Sequence, residues 1–263
     1  MNRKFVKLLL SIITMTALSA ECTGGGSGLK IYAVRYGRSM FLNKFVFYGD
    51  KSGGSVPFSW MFYYLEYGDK KILIDTGFND PKMAGIFGIT DFKDPAAILK
   101  DNGINADSIT DVIITHSHFD HIGNASRFKN ARFIINKDEL AELNKGKSMG
   151  EVKKFFSTNT NVTVFDDSTV LYDMFTIKKI GGHTKGSSVV FFKYGNDQYC
   201  FTGDEVYLQD NITKGIGNGS ASNHSNNMKF IELINNGNYK IFTFHDNRYA
   251  DSKNRFIKVF PAE

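Results

Sequence analysis

Five of the chain's six histidines fall in three short segments, two of which also carry an aspartate. Three of them lie in Thr115-His116-Ser117-His118-Phe119-Asp120-His121. A fourth is His183, in Gly181-Gly182-His183-Thr184, and a fifth is His245, in Thr243-Phe244-His245-Asp246. Imidazole and carboxylate are the ligands that divalent zinc takes in open catalytic sites. The pattern therefore predicts one binuclear metal site. A plain polar loop whose histidines start a helix is the competing reading of the first segment. It accounts for a single histidine more readily than for three histidines and an aspartate so close together.

The elements around these residues must bring them to one place. Residues 111–115 read as a buried strand, so the first ligands sit at a strand's C-terminal end, the usual place for sites on α/β scaffolds. On extended chain His116 and His118 point the same way and can share one ion. Asp120 and His121 come where the chain turns and can face a neighbouring ion. Asp204 follows the apolar run Tyr199-Cys200-Phe201, where a carboxylate is costly unless it is paired or metal-bound. An internal echo organises the chain. Residues 62–69 and 70–77 run strand, Gly-Asp turn, strand and acidic end, and residues 190–197 and 198–204 repeat this with a Gly-Asn-Asp turn. Both read as hairpins. Helical patterns intervene at 94–102, 137–143, 150–156 and 228–235. The expected architecture is α/β: a four-layer αββα sandwich built from two similar halves, with the ligands along one edge.

The segment His116-x-His118-x-Asp120-His121 resembles the signature of the metallo-β-lactamase superfamily of hydrolases. Four further segments match in order: Ile72-Leu73-Ile74-Asp75-Thr76-Gly77; Gly182-His183-Thr184-x-Gly186-Ser187, with Gly181 where a Pro is more usual; Phe201-Thr202-Gly203-Asp204; and His245. The resemblance implies that His116, His118 and His183 hold a first ion and that Asp120, His121 and His245 hold a second, with Asp204 bridging. It also implies that Asp75 orients a ligand imidazole by a hydrogen bond, as such supporting partners do. The expected cofactor is two Zn2+, with another divalent metal or iron in their place as the competing expectation.

Two such ions about 3.5–4 Å apart activate a shared water near neutral pH and polarise an electrophile. Asp120 is the residue expected to orient that nucleophile and carry its proton. The reaction implied is hydrolysis of an ester-like, amide-like or phosphoester bond on a small molecule. Asp204 argues against antibiotic hydrolysis, because the family's lactamases commonly lack the bridging Asp, and His118 argues against the flavodiiron branch. Tyr207, three residues past Asp204, resembles the N-acyl homoserine lactonase branch, where a Tyr bonds the substrate carbonyl. The short segment after His245 favours that branch over a glyoxalase II-like thioesterase. The same residues also admit an iron-dependent sulfur dioxygenase-type oxidoreductase and, less readily, a metal-binding non-enzyme. Phe41, Phe45, Phe47, Phe58 and Trp60 are expected in an early loop that either grips an acyl chain or packs into the core or a dimer contact. Residues 209–227, rich in Gly, Asn and Ser, read as a mobile lid or a surface loop, with His224 solvated rather than a ligand.

The remaining features set the compartment. Arg3, Lys4 and Lys7 precede an apolar stretch and then small residues, the order of a signal peptide over 1–21. The stretch is shorter than the roughly 20 residues a spanning helix needs. Cys22 follows, in a box that resembles a bacterial lipoprotein's except for Glu21, and residues 22–28 form a Gly-rich tether. Export is expected, either as a lipoprotein attached through Cys22 or as a freely secreted or periplasmic protein, with residues 29–263 as the hydrolase domain. Arg3, Lys4 and Lys7 against Glu21 give the signal segment two of the five units of net positive charge. No basic run interleaved with aromatics suggests nucleic-acid binding. Cys22 and Cys200 are the only cysteines, which excludes a disulfide framework. The sequence carries no signal for a particular oligomeric state.

Overall fold

A computed structural model describes residues 28–146, 148–246, 248 and 253–261. The expected signal segment, Cys22 and the expected tether up to residue 27 lie outside the described residues. The first sheet takes strands β1 (Lys30–Leu42), β2 (Ser55–Tyr67), β3 (Lys70–Ile74), β4 (Asp111–Ile114), β5 (Arg132–Asn136) and β6 (Val162–Phe165). The second takes β7 (Ser168–Leu171), β8 (Phe175–Lys179), β9 (Ser188–Tyr194), β10 (Asp197–Phe201) and β11 (Lys240–Phe242). The last strand, β12 (Phe256–Phe260), returns to pair with β1, giving the order β12-β1-β2-β3-β4-β5-β6 beside β11-β10-β9-β8-β7. The two expected hairpins are present as β2–β3 and β9–β10. The halves are unequal, with seven strands against five.

Alternation along the strands explains the layers. Met61, Tyr63 and Leu65 of β2, Ile72 and Ile74 of β3, and Ile113 of β4 face inward against Ile177, Val190, Phe192 and Phe201 of the second sheet. Their neighbours Phe62, Tyr64, Leu73, Val112 and Ile114 face the opposite way. The period of two puts successive side chains on opposite faces, and both faces here are apolar, as in sheets covered on both sides. Helices α1 (Asn43–Val46), α2 (Pro81–Ile86), α3 (Pro95–Asp101), α4 (Phe119–Ile122), α5 (Lys137–Lys145) and α6 (Gly150–Thr158) come from the first half, and α7 (Gln209–Thr213) and α8 (His224–Asn236) from the second. Ile98, Leu99, Leu143, Val152 and Phe156 cover the first sheet's outer face, and Phe230, Ile231 and Ile234 cover the second's. The result is the αββα sandwich. Each side chain buried this way contributes about 1.5–3 kcal/mol. Cys200 is fully buried on the α8 side and packs as a small hydrophobe, with burial pushing its thiol pKa up.

Two expectations about loops need correction. The early aromatic cluster is not a loop: Phe41 belongs to β1, and Phe58 and Trp60 to β2. These strands pair out to Leu42↔Ser55, and alternation puts Phe58 and Trp60 on the face of Phe62 and Tyr64, buried at 2% exposure. Segment 209–227 is not a free lid either. Asn211, Asn218 and Asn227 are internal struts. Asn211 donates to the carbonyls of Val46 and Ile216, and Asn227 donates to Glu205. Backbone bonds from Tyr48 to Gly217 and from Gly219 to Val46 tie the segment to α1. His224 starts α8 with its ring against Tyr48 and joins neither group of metal-ligand residues.

Candidate metal centre and active site

The ligand segments leave the strands at one sheet edge. β3 ends at Ile74, and Asp75 follows at φ 64°, an uncommon left-handed turn for a non-glycine residue. That turn aims its carboxylate across the end of β4. It accepts from the Thr115 N–H at 2.8 Å, the Thr115 hydroxyl at 2.7 Å and His121 Nδ1 at 2.6 Å. Asp75 thus supports a ligand imidazole and is not itself placed with the ligands. His116 and His118 leave β4 on extended chain, and the single turn α4 then carries Asp120 and His121. His183 stands in the loop after β8, Asp204 just past β10, and His245 just past β11.

All seven predicted ligands converge. His116, His118, His183 and Asp204 form one group, and Asp120, His121, Asp204 and His245 another, with the ligand atoms of each within 4.8 Å of one another. In the first, His118 Nδ1 lies 3.0 Å from His116 Nε2 and 3.1 Å from His183 Nε2. Asp204 Oδ2 approaches His116 and His183 at 3.5 and 3.4 Å, while its Oδ1 is 3.1 Å from both His121 Nε2 and His245 Nε2. Asp120 Oδ2 completes the second group, 3.4 Å from His121 and 3.6 Å from His245. Phe58 stacks on the His245 ring at 4.2 Å.

The donor chemistry fits cations at both places. His121 and His245 each use Nδ1 on an oxygen, Asp75 and the Ser59 carbonyl respectively, which points Nε2 at Asp204. The buried atoms His121 Nε2, His245 Nε2 and Asp204 Oδ1 make no hydrogen bond to any protein partner. Buried polar atoms are nearly always satisfied, and imidazole nitrogens and a carboxylate converging on one space call for positive charge there, from a bound ion or, without one, from a proton. Titration behaviour points the same way. Burial pushes His116 down, and His183 to about 3, keeping both imidazoles neutral as ligands must be. Burial also opposes charge on His121, but Asp204, Asp120 and Asp75 together outweigh it and raise its pKa well above the usual value. Burial opposes ionisation of Asp120 and Asp204, yet His121 and the neighbouring imidazoles hold both carboxyls below their ordinary range.

Two buried carboxylates that sequence reasoning does not single out support the ligand loops. Glu139, in the first turn of α5, accepts from the Ser117 N–H and hydroxyl at 2.7 Å each, the Thr184 hydroxyl at 2.5 Å and the Gly186 N–H at 2.8 Å. Glu205 accepts from the Gly182 and His183 N–H groups, Ser187 and Asn227. Neither has a sequence signal beyond adjacency, in Glu205's case, to Asp204. Tyr207 is 5% exposed, with its ring 5.8 Å from that of His183 and 5.2 Å from that of His245, beside both groups. Burial raises its hydroxyl pKa well above the ordinary value, partly countered by hydrogen bonds with Ser220 and Asn218. Two clefts open at His118. One of about 530 Å³ has an apolar wall of Phe78, Met83, Phe119, Met149 and Val152, and one of about 640 Å³ is lined by Glu142, Lys185, Ser220 and Ser222 among others.

The family model described as the metallo-beta-lactamase superfamily matches residues 59–245, and the chain belongs to this superfamily of hydrolases. The probable metallo-hydrolase MJ0296 of Methanocaldococcus jannaschii is 32% identical over 146 residues, 55% of this chain. The match spans just over half, 56%, of that relative's length. Among solved structures, an N-acyl homoserine lactone hydrolase with N-hexanoyl-L-homoserine at its catalytic metal centre aligns with a TM-score of 0.72 at 22% identity, covering 89% of this chain and 98% of that one. The dizinc quorum-quenching lactonase AidC aligns at 0.67 and 18% identity, over 90% and 96%. A probable metal-dependent hydrolase from Staphylococcus aureus aligns at 0.70 and 17%, over 90% and 99%. At these identities the likeness is one of fold.

Proposed function

We propose that the protein is a two-ion, metal-dependent hydrolase that opens ester-like bonds, with small lactones as its substrate class and zinc as its metal. The observation that carries this reading is the placement of Asp204, whose two oxygens face two different histidine groups. Bound divalent ions supply a water activated near neutral pH and polarise the electrophile. The chain's residues do the rest. Asp120 stays ionised at the second group and is 7% exposed, so it is available to take a proton and return it to the leaving oxygen. Tyr207 keeps its hydroxyl proton beside both groups and acts as donor to the carbonyl oxygen as charge grows there. The apolar cleft at Phe119 and Met149 receives the substrate's apolar arm, a role the buried Phe58 and Trp60 leave open.

The substrate class rests on Tyr207 and on the fold shared with lactonases. A panel of lactones, thioesters, phosphodiesters and β-lactams, assayed at full metal loading, tests it. Fastest turnover on lactones is expected. Preference for thioesters would move the assignment to a glyoxalase II-like enzyme. Export belongs to the same proposal, resting on the basic, apolar and small residues that open the chain and on Cys22 as the point of attachment if it is lipidated. Fractionation of the full-length chain in a bacterial host, with metabolic lipid labelling, separates anchored, secreted and cytoplasmic outcomes.

A further inference from the structure

The loop that carries His183 departs from its family's pattern where rigidity is expected. Gly181 replaces the more usual Pro, and its φ of +69° is a conformation proline cannot adopt, since its ring fixes φ near −65°. Glycine loses the most conformational freedom on folding, so two successive glycines are a loose start for a ligand loop. Yet His183 is 3% exposed and its Nε2 lies 3.1 Å from His118 Nδ1. Something else must fix the loop.

Glu205 is placed to do so. Its side chain is fully buried, and Oε1 accepts from the Gly182 N–H at 2.9 Å, the His183 N–H at 3.0 Å and the Ser187 hydroxyl at 2.5 Å. Oε2 accepts from Asn227 Nδ2 at 2.8 Å, and the same amide donates to the Glu205 carbonyl at 2.8 Å. Both ends of the His183 loop, residues 182 and 187, are thus held by a residue adjacent in sequence to Asp204. The fit is reciprocal: a Cβ on Gly182 would stand 2.2 Å from Glu205 Oε2 and 2.9 Å from Asn227 Cα, so the second glycine leaves room for the carboxylate. Hydrogen bonds to a charged acceptor are the stronger kind.

We propose that Glu205 is a positioning residue for the first ion: by clamping the Gly182 and His183 backbone it sets the His183 imidazole against Asp204, in place of the missing proline. The inference rests on the two-ion reading above. It predicts a site-selective effect, because the second group's histidines, His121 and His245, hang from other loops and are held by Asp75 and Ser59.

The test is Co2+ titration of the chelator-stripped full chain, read by visible absorption, with His118→Ala assigning the step that belongs to the first group. Glu205→Gln keeps the volume but sets two NH2 groups, its own and that of Asn227, against each other. It should weaken the first step by roughly tenfold to a hundredfold, as loss of a supporting partner does, and leave the second within about threefold. Ser187→Ala, which removes one donor to the carboxylate, together with the bond its oxygen accepts from the Thr184 N–H, and no ligand, should weaken the same step less and keeps the test decisive if the glutamine variant does not fold. Unchanged first-step affinity, or equal weakening of both steps, would overturn the positioning role. Fewer than two ions taken up by the wild type would overturn the two-ion reading itself.

Discussion

His245 donates from Nδ1 to the Ser59 carbonyl oxygen at 2.9 Å, and this turns its other nitrogen toward Asp204 Oδ1, 3.1 Å away. A carbonyl can only accept, so the ring must be the donor there. In the neutral ring that ligation requires, two buried acceptors, Nε2 and a carboxylate oxygen, face each other. Such a contact is repulsive until a cation occupies the space between them. Ser59 enforces it further by donating its N–H to the His245 carbonyl at 2.9 Å. The β2 strand therefore sets the histidine's tautomer as well as its position.

Metal uptake should release protons. Without an ion, His121 faces three carboxylates that hold its pKa well above the usual histidine value, so it is protonated at pH 7. Coordination requires the neutral ring. Calorimetric titration of stripped protein with Zn2+ at pH 7, repeated in buffers of different ionisation enthalpy, should show release of about one proton from this group. Buffer-independent heats would contradict the assignment of His121 as the protonated member.

Asp120→Asn should remove turnover far more than fold. The carboxylate is both a member of the second group and the proposed proton carrier, and general-base contributions are worth about a hundredfold or more. A drop in kcat of at least that size is expected, with the folded state retained by circular dichroism. Wild-type activity at full loading would remove Asp120 from the mechanism.

Tyr207→Phe isolates a hydroxyl. Loss of one donor worth about 1.4 kcal/mol in the transition state lowers kcat on lactones about tenfold. The aromatic contacts with Phe58 and His245 persist in the variant, so bound metal should be unchanged. The hydroxyl lies beside Ser220 and Asn218, so a stability cost of no more than about 1.5 kcal/mol is expected. Equal kcat across lactone chain lengths would leave the substrate class without its best support.

Much of this site is legible in the sequence because its ligands sit where strands end. The His116–His121 burst follows β4, Asp204 follows β10, and the hairpins announce themselves by Gly68 and Gly195, both at positive φ in their turns. The supporting shell is not legible. A glutamate at a helix start, such as Glu139, reads as a solvated charge, and only the approach of the 117 and 184–186 loops buries it. The asparagines of 209–227 read as loop polarity for the same reason, although Asn211, Asn218 and Asn227 are fully buried. The long β1–β2 pairing is hidden because Gly49, Gly53 and Gly54 mark a connection, and the aromatics that alternate on either side of it read as part of that connection.

Metal stoichiometry tests the central claim most directly. Elemental analysis of protein purified without chelator, alongside Asp204→Asn, compares the chain with and without the carboxylate that both groups share. Two divalent ions per wild-type chain, predominantly zinc, and fewer than two in the variant are the predicted results. A wild type that holds a single ion, with iron as that ion, would contradict the two-ion hydrolase and favour a dioxygenase-type centre.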